Sequence, residues 1–314
     1  MKLQKIDASV SLANELVRAA HCLKLVEKRL LMLALTRIDS KQAATGRNQS
    51  VTLSAADYLA EYDADKPSSY REIAAAVNSL DAARVRFKDT AIGEYGSIHW
   101  TTGARYKPKQ GLFVISINGD LLPYLMDLKS HFTTYKLSRV SGFKSIYSWR
   151  LFELLMQFKQ TGLLTILIDD FYHSMDAPES LRANFANLRN RVIEPAVKEI
   201  REKDGLAVNW EAIKAGRKVK ALKFTFPTEQ QLSLDTHPKA LNSANTPRTE
   251  QQATEQGAKA KKGAKQEIEA FLSLSETKSR LQSAKELARL AKVPAETYLT
   301  EKDRASIAHY ELTI

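Results

Sequence analysis

The feature that most constrains the fold of this 314-residue chain is an order of elements that occurs twice. In the first half, Ser11 to Ile38 places Leu12, Leu16, Ala19, Leu23, Val26, Leu30 and Leu33 three and four residues apart, the spacing of one buried helical face. Gln49 to Leu53 then reads as a strand, and Ser54 to Tyr62 as a short helix opened by Ser54. Pro67, Ser68 and Ser69 open another helix, with Ser69 and Glu72 at capping-box spacing and Ile73, Val77 and Leu80 as its apolar face. Three strand-like runs follow, Val85 to Ile92, Ile98 to Thr102 and Leu112 to Ile117, parted by glycine-containing turns. The second half repeats the order. Ser145 to Gln160 is amphipathic, Leu163 to Ile168 is strand-like, Asp169 to Ser174 is a short helix, and a longer helix runs from Pro178 or Ser180 to Glu202. Leu206 to Trp210 and Val219 to Phe226 close it as a hairpin around a basic turn, Lys214 to Lys218.

Helix, strand, helix, helix, hairpin is the order of a winged helix, a three-helix core whose last helix enters the DNA major groove and is followed by a β wing. Two copies without evident residue identity predict an α+β chain with two tandem winged-helix domains, over 1–135 and 136–228. Two unrelated α+β domains are the alternative that the pattern leaves open. After Thr228 the character changes. The stretch to Lys262 is rich in Gln, Thr, Ala and Asn, contains Pro238 and Pro247, and lacks an apolar period, which predicts a flexible linker. Its Lys259 to Lys262 cluster is either solvated or a nonspecific contact to nucleic acid. Helical spacing returns between Gln266 and Lys292, so 229–314 is expected to be a flexible, partly helical extension.

Charge narrows the partner. Of 47 basic and 36 acidic residues, 13 and 12 lie after residue 228, leaving 34 and 24 in 1–228. The folded part thus carries an excess of positive charge suited to a polyanion, because neutralising phosphates releases counterions from the duplex. The segment Arg182 to Arg201 is where that charge meets a reading surface. At 100° per residue, Phe185, Leu188, Val192, Ala196 and Ile200 share one arc, while Asn184, Asn187, Asn190, Arg191, Glu194, Lys198 and Arg201 share the other. Asn pairs bidentately with adenine and Arg with guanine, whereas cations farther along reach phosphates. Arg182 stands at the head of this segment, and Arg189 falls within the apolar arc. A merely solvated polar face is the alternative reading. Pro195 lies inside the helix, where the missing N–H and the ring clash predict a kink. Arg217, Lys218 and Lys220 suit a phosphate-contacting wing. The matching positions of the first module are Ser68, Tyr70 and Arg71 on the helix, and Arg105, Lys107 and Lys109 on the hairpin.

Signals for other functions are missing from the sequence. The longest apolar run, Leu30 to Leu35, is far short of the roughly 20 residues that cross a bilayer, and no signal-peptide layout opens the chain, which predicts a cytoplasmic protein. One cysteine, Cys22, excludes an internal disulfide and a four-cysteine zinc site, and reads as a buried thiol. No Gly-x4-Gly-Lys-Ser/Thr loop is present, and six histidines are scattered without metal-ligand spacing. Asp169 and Asp170 read as helix capping. No enzyme activity, cofactor or metal is therefore expected, and a relaxase or nuclease is the function class that this disfavours.

Several stretches together resemble the RepA/RepE family of iteron-binding plasmid replication initiators. They are Asn14 to Leu16 with the apolar helix after it, Gly111 to Asn118, Phe132 to Leu137, Ser145 to Leu155, Phe171, and Leu188 to Ile200, and the likeness spans residues 8–227. The basic cluster that some members carry at the start of the last helix is here Asn187, Arg189, Asn190 and Arg191, so a different repeat sequence should be read. The resemblance implies tandem winged helices that bind directly repeated origin DNA as monomers, with the second domain as the main reader. It also implies dimers, formed largely through the first domain, that bind an inverted repeat and repress their own promoter. Host DnaA, the replicative helicase and chaperones are the implied protein partners. A dedicated repressor that uses the same domains is the runner-up. Leu16, Leu23 and Leu30 recur every seven residues, as either a partner seam or a helix buried in its own domain would show.

Overall fold

The computed structural model describes residues 8–38, 46–64, 66–88, 95–125, 132–228 and 308. Nearly all of them belong to one compact unit, Met1–Phe87 with Gly96–Thr236. The extension after residue 228, with its expected linker and helix, lies outside the described residues apart from Ala308.

The N-terminal segment departs from a single helix. Ser9–Ala13 is a strand (β1), Asn14–Arg18 a short helix (α1), and Leu25–Leu35 a second helix (α2). Two partners distant in sequence cause the break. β1 pairs antiparallel with Phe132–Lys136, with Ser11 opposite Thr134, and Ala20 exchanges two backbone hydrogen bonds with Arg86 at 3.0 and 2.8 Å. Cys22 turns the chain at φ 49° and is half-buried rather than fully enclosed. Leu16, Leu23 and Leu30 therefore lie on three different segments, and all three are buried in the core, so no seven-residue seam exists.

The first module continues through β2 (Gln49–Ser54), α3 (Ala55–Tyr62) and α4 (Lys66–Leu80). Ser54 Oγ accepts from Asp57 N at 3.0 Å while Asp57 Oδ2 accepts from Ser54 N at 3.1 Å, a reciprocal cap that fixes the start of α3. α4 begins earlier than its serines indicated. Ser69 lies inside the helix and is buried, so it is no N-cap. Three strands follow α4: β3 (Arg84–Lys88), β4 (Tyr95–His99) and β5 (Thr101–Lys107). The run Ile98 to Thr102 is thus divided at Trp100, whose ring is buried and whose Nε1 donates to His21 O at 2.9 Å. β6 (Leu112–Ile117) completes a three-stranded sheet in the order β2–β6–β5. A short helix, α5 (Leu122–Leu125), then leads toward β7 (Phe132–Lys136) and α6 (Leu137–Val140).

The second module runs α7 (Ile146–Met156), β8 (Leu163–Leu167), α8 (Ile168–Ser174), α9 (Glu179–Arg182), α10 (Phe185–Leu188), a π turn over Arg189–Ile193, and α11 (Glu194–Lys203). The single long helix expected up to Glu202 is thus divided. α8 is preceded by Leu167 without a side-chain cap, so Asp169 and Asp170 stand in its first turn, at the positive end of the helix, and do not cap it. β9 (Asn209–Ala215) and β10 (Lys218–Thr225) form the hairpin, later than the expected Leu206 start because Leu206 and Val208 are buried ahead of it. Gly162 joins α7 to β8 at φ 65°, and any side chain there would strike the Phe226 carbonyl.

The sheet order is β8–β10–β9, so in both modules the strand between the first two helices pairs with the last hairpin strand. That shared topology makes each module a winged helix. Each hairpin also carries a bulge, at Thr102 in β5 and at Lys220 in β10. The buried side chains of both modules form one continuous apolar cluster, which includes Val77, Phe113 and Ile115 of the first and Phe171, Ile200 and Phe224 of the second.

Candidate nucleic-acid interface

The segment after α9 is assembled so that its polar residues face outward. Asn184 Oδ1 accepts from Ala186 N at 2.8 Å and starts α10. Leu188, Val192, Ile193, Ala196, Val197 and Ile200 are buried and anchor the segment, with α11 packed on α7. The π turn is the local consequence of Pro195. Proline has no N–H to return to Arg191, and Glu194 N–H instead bonds Arg189 O, five residues back. The widened turn buries both Val192 and Ile193, and leaves Arg189, Asn190 and Arg191 exposed in succession. Arg189 is therefore outside the apolar arc in which a uniform 100° step placed it.

These side chains differ in how free they are. Arg191 makes no hydrogen bond or ion pair among the described residues, while Arg189 Nε donates to Asn190 Oδ1 at 3.1 Å and holds that amide in place. Asn187 is half-buried beside them. Asn184 is exposed, but its oxygen is committed to the cap. Arg182 is exposed yet braces the preceding loop through Nε to Ala177 O at 2.7 Å. Lys198 lies about two turns beyond Arg191, exposed, with Glu202 at 3.8 Å. Arg201 is exposed but committed: its Nε donates to Val208 O at 2.7 Å and fastens α11 to the approach of β9.

The wing turn is a two-residue loop, with Lys218 paired to Ala215 and Gly216 in first position at φ 63°, a conformation open to glycine. Arg217 and Lys218 are exposed at its tip, and the bulge leaves Lys220 exposed as well. Lys214, exposed opposite Val219, adds a fourth cation that the basic turn signalled in the sequence. None of the four has an acidic partner among the described residues. Lys223 on the same strand is paired with Glu211 at 3.1 Å.

The first module repeats the arrangement. Ile73, Ala76, Val77 and Leu80 bury one face of α4, and Ser68, Tyr70 and Arg71 are exposed, Tyr70 at 41%. Arg105 and Lys107 alternate on β5, exposed on one face, and Lys109 is exposed in the turn that follows. Each module thus carries exposed cations on a helix and on a hairpin. Among the described residues no group of three or more His, Cys, Asp or Glu side chains is placed to hold a metal ion, and no helix is long and apolar enough to cross a membrane.

A second polar cluster escaped the sequence reading, because Lys28, Arg150 and Glu153 sit within runs that read as apolar helix. Lys28 Nζ lies 2.8 Å from Glu153 Oε1, and Arg150 NH1 lies 2.6 Å from Glu153 Oε2, with all three side chains buried. Tyr135 OH donates to Glu153 Oε1 at 2.7 Å, and Trp149 Nε1 donates to Tyr135 OH at 3.1 Å. His21 Nε2 lies 2.8 Å from Leu16 O, which only accepts, so that nitrogen bears the proton and Nδ1 accepts from Lys28 Nζ at 3.0 Å. Burial pushes the Glu153 carboxyl up, but Lys28 and Arg150 outweigh it and hold it below the ordinary range. Burial brings Lys28 down to about 8, against the pull of Glu153. His21 is held well below its ordinary value by burial, then by Arg150 and Lys28.

A neutral buried histidine makes stability depend on pH. Its folded-state pKa lies below the unfolded value, so its contribution is complete above the unfolded value and is lost as pH falls through the interval between the two. Urea unfolding at pH 7.5, 6.5 and 5.5 should show stability falling with acid, steepening toward about 1.4 kcal/mol per pH unit, and His21→Gln should remove that slope.

Comparison with known proteins agrees with the two winged-helix modules. Two family models match: "Initiator Replication protein, WH1" over residues 9–156, and "Initiator Rep protein, WH2" over residues 167–226. The first runs through α7, which the packing against α11 places with the second module. An uncharacterized 27.6 kDa protein of Escherichia coli is 28% identical over 226 residues, which cover 69% of this chain and 94% of that one. A replication initiation protein of Escherichia coli is 24% identical over 229 residues, 71% of each chain. Among solved structures, the Pi initiator protein in complex with iteron DNA superimposes with a TM-score of 0.60 at 21% identity, covering 73% of this chain and 100% of that chain, a likeness of fold.

Proposed function

We propose a function from the premise that the chain belongs to the family of iteron-binding plasmid replication initiators: it binds repeated origin DNA sequence-specifically and initiates plasmid replication there. The observation that carries this reading is the run Arg189, Asn190 and Arg191, exposed on the last helix of a winged helix beside a wing of unpaired cations. Asn and Arg at such a position read adenine and guanine edges, while Lys214, Arg217, Lys218 and Lys220 follow the phosphates. The second module is the principal reader, and Ser68, Tyr70, Arg71, Arg105, Lys107 and Lys109 place the first on the adjoining duplex.

The chain acts by binding, without breaking bonds. It works in the cytoplasm and opens nearby A·T-rich DNA, where DnaA, the replicative helicase and chaperones join it. Monomers take the direct repeats, and a dimer formed through the first module takes an inverted repeat in the protein's own promoter. The supports for this wider account are membership of the family and the duplicated module.

Footprinting on the DNA that flanks the reading frame tests the proposal. Protection should cover several direct repeats about two helical turns apart beside an A·T-rich segment. Protection of a lone inverted site would replace the initiator with a repressor. On one protected repeat, Arg217→Ala with Lys218→Ala should lower the magnitude of the log–log salt slope by about 2, one per lost phosphate contact. An unchanged slope would take the wing out of the interface.

A further inference from the structure

The buried cluster lies where the two modules meet, and its hydrogen bonds cross between them. Arg150 belongs to α7 of the second module. Its NH2 donates to Val17 O at 2.6 Å and Ala19 O at 2.8 Å, both at the end of α1 in the first module, and to Ser174 O of α8 at 3.0 Å. Its NH1 is held by Glu153, whose other oxygen receives Lys28 from α2 of the first module. A guanidinium is a rigid planar fork, so acceptors on both modules fix an angle as well as a distance. Apolar contact is non-directional and tolerates rotation, and the ion pair of Arg86 with Asp176, which also joins the modules, is open to water. A buried charge of this kind is best suited to holding one arrangement against others.

We propose that Arg150 is a positioning residue for DNA recognition: by locking the two modules at one angle and offset, it sets the number of base pairs between the two segments that they read. The inference rests on the reading of both modules as DNA-binding. Each inserted base pair moves the second segment by about 3.4 Å and about 34° around the duplex. A rigid junction cannot follow that displacement, whereas a loosened one can.

The test uses the full chain and a duplex that the wild-type chain recovers from a randomised library. Hydroxyl-radical footprinting maps the protected segments, and one to five base pairs are then inserted between them. Wild type should lose at least about 30-fold in affinity by the second insertion, the effect of losing one or two base contacts. Arg150→Lys keeps the charge but not the fork, and should bind the parent duplex about fivefold more weakly while varying no more than about threefold across the series. Lys28→Met, Arg150→Met and Glu153→Leu together replace the cluster with apolar groups of similar volume, a change that buried ion clusters tolerate, and should flatten the series likewise. Leu222→Ala, a cavity within the second module's own core, weakens the fold without touching the junction and should keep the wild-type profile. A flattened series in either cluster variant supports the proposal. If both variants fall as steeply as wild type, Arg150 does not set the spacing. If the library yields no duplex with two protected segments, the two-module reading itself fails, and the spacing inference falls with it.

Discussion

Glu153→Ala should lower the free energy of unfolding by about 3–5 kcal/mol, the largest stability loss expected of any single substitution in the polar cluster. The carboxylate is the only anion facing Lys28 and Arg150 among the described residues, and all three are sealed from water. Removing it strands two buried cations and leaves Tyr135 OH with only the weak Met32 Sδ acceptor at 3.9 Å among the described residues. Urea unfolding at pH 7.5 measures the loss. Glu153→Gln should recover part of it, because the amide oxygen still accepts while the charge is gone. A loss below about 1 kcal/mol for Glu153→Ala would show that water reaches the cluster and that its charges are not desolvated. Acid should act in the same direction as the substitution. Glu153 has a folded-state pKa below its unfolded value, so its contribution is present above the unfolded value and disappears as pH falls through the folded one.

Asn190→Ala combined with Arg191→Ala should reduce discrimination between the specific repeat and random duplex by about 2–6 kcal/mol, from 1–3 for each base contact. Neither side chain contributes to the core. Both are exposed, and Val192, Ile193 and Ile200 hold the segment independently of them. The melting temperature should stay within about 2 °C of wild type, as is usual for exposed positions away from caps and networks. Competition binding at fixed salt separates the two effects. Equal losses on specific and random duplex would reassign Asn190 and Arg191 to the phosphate backbone. Loss of Asn190 also frees Arg189 Nε from its one acceptor among the described residues, so Arg189→Ala in the double-substituted background should have a smaller effect than in wild type.

The sequence reveals both modules through local signals: apolar spacing in α4 and α7, Ser54 opening α3, and the glycine of the wing turn. Those signals fail where a distant segment decides the conformation. Ser11 to Ala13 shows a helical period, but Phe132–Lys136 captures it as a strand, and no spacing within ten residues reports a partner over a hundred residues away. Trp100 divides a continuous β run because its ring is needed in the core against His21. At the interface, the identity of the exposed residues was legible and their phase was not, since the π turn breaks the uniform helical step on which Arg189 was placed. Lys28, Arg150 and Glu153 were hidden for a related reason. Charged residues inside an apolar helix read as a solvated edge until the second module closes over them.

The widened turn before Pro195 separates the residues that hold the reading segment from those that it presents. Leu188, Val192, Ile193 and Ile200 fix its place, and Arg189, Asn190 and Arg191 stand together on the outside. Three adjacent codons can therefore be rewritten without disturbing the scaffold. On the proposed reading of these residues as base contacts, two plasmids whose initiators differ only there would answer to separate origins and be counted separately in one cell, and a small edit to the coding sequence would create a new compatibility type.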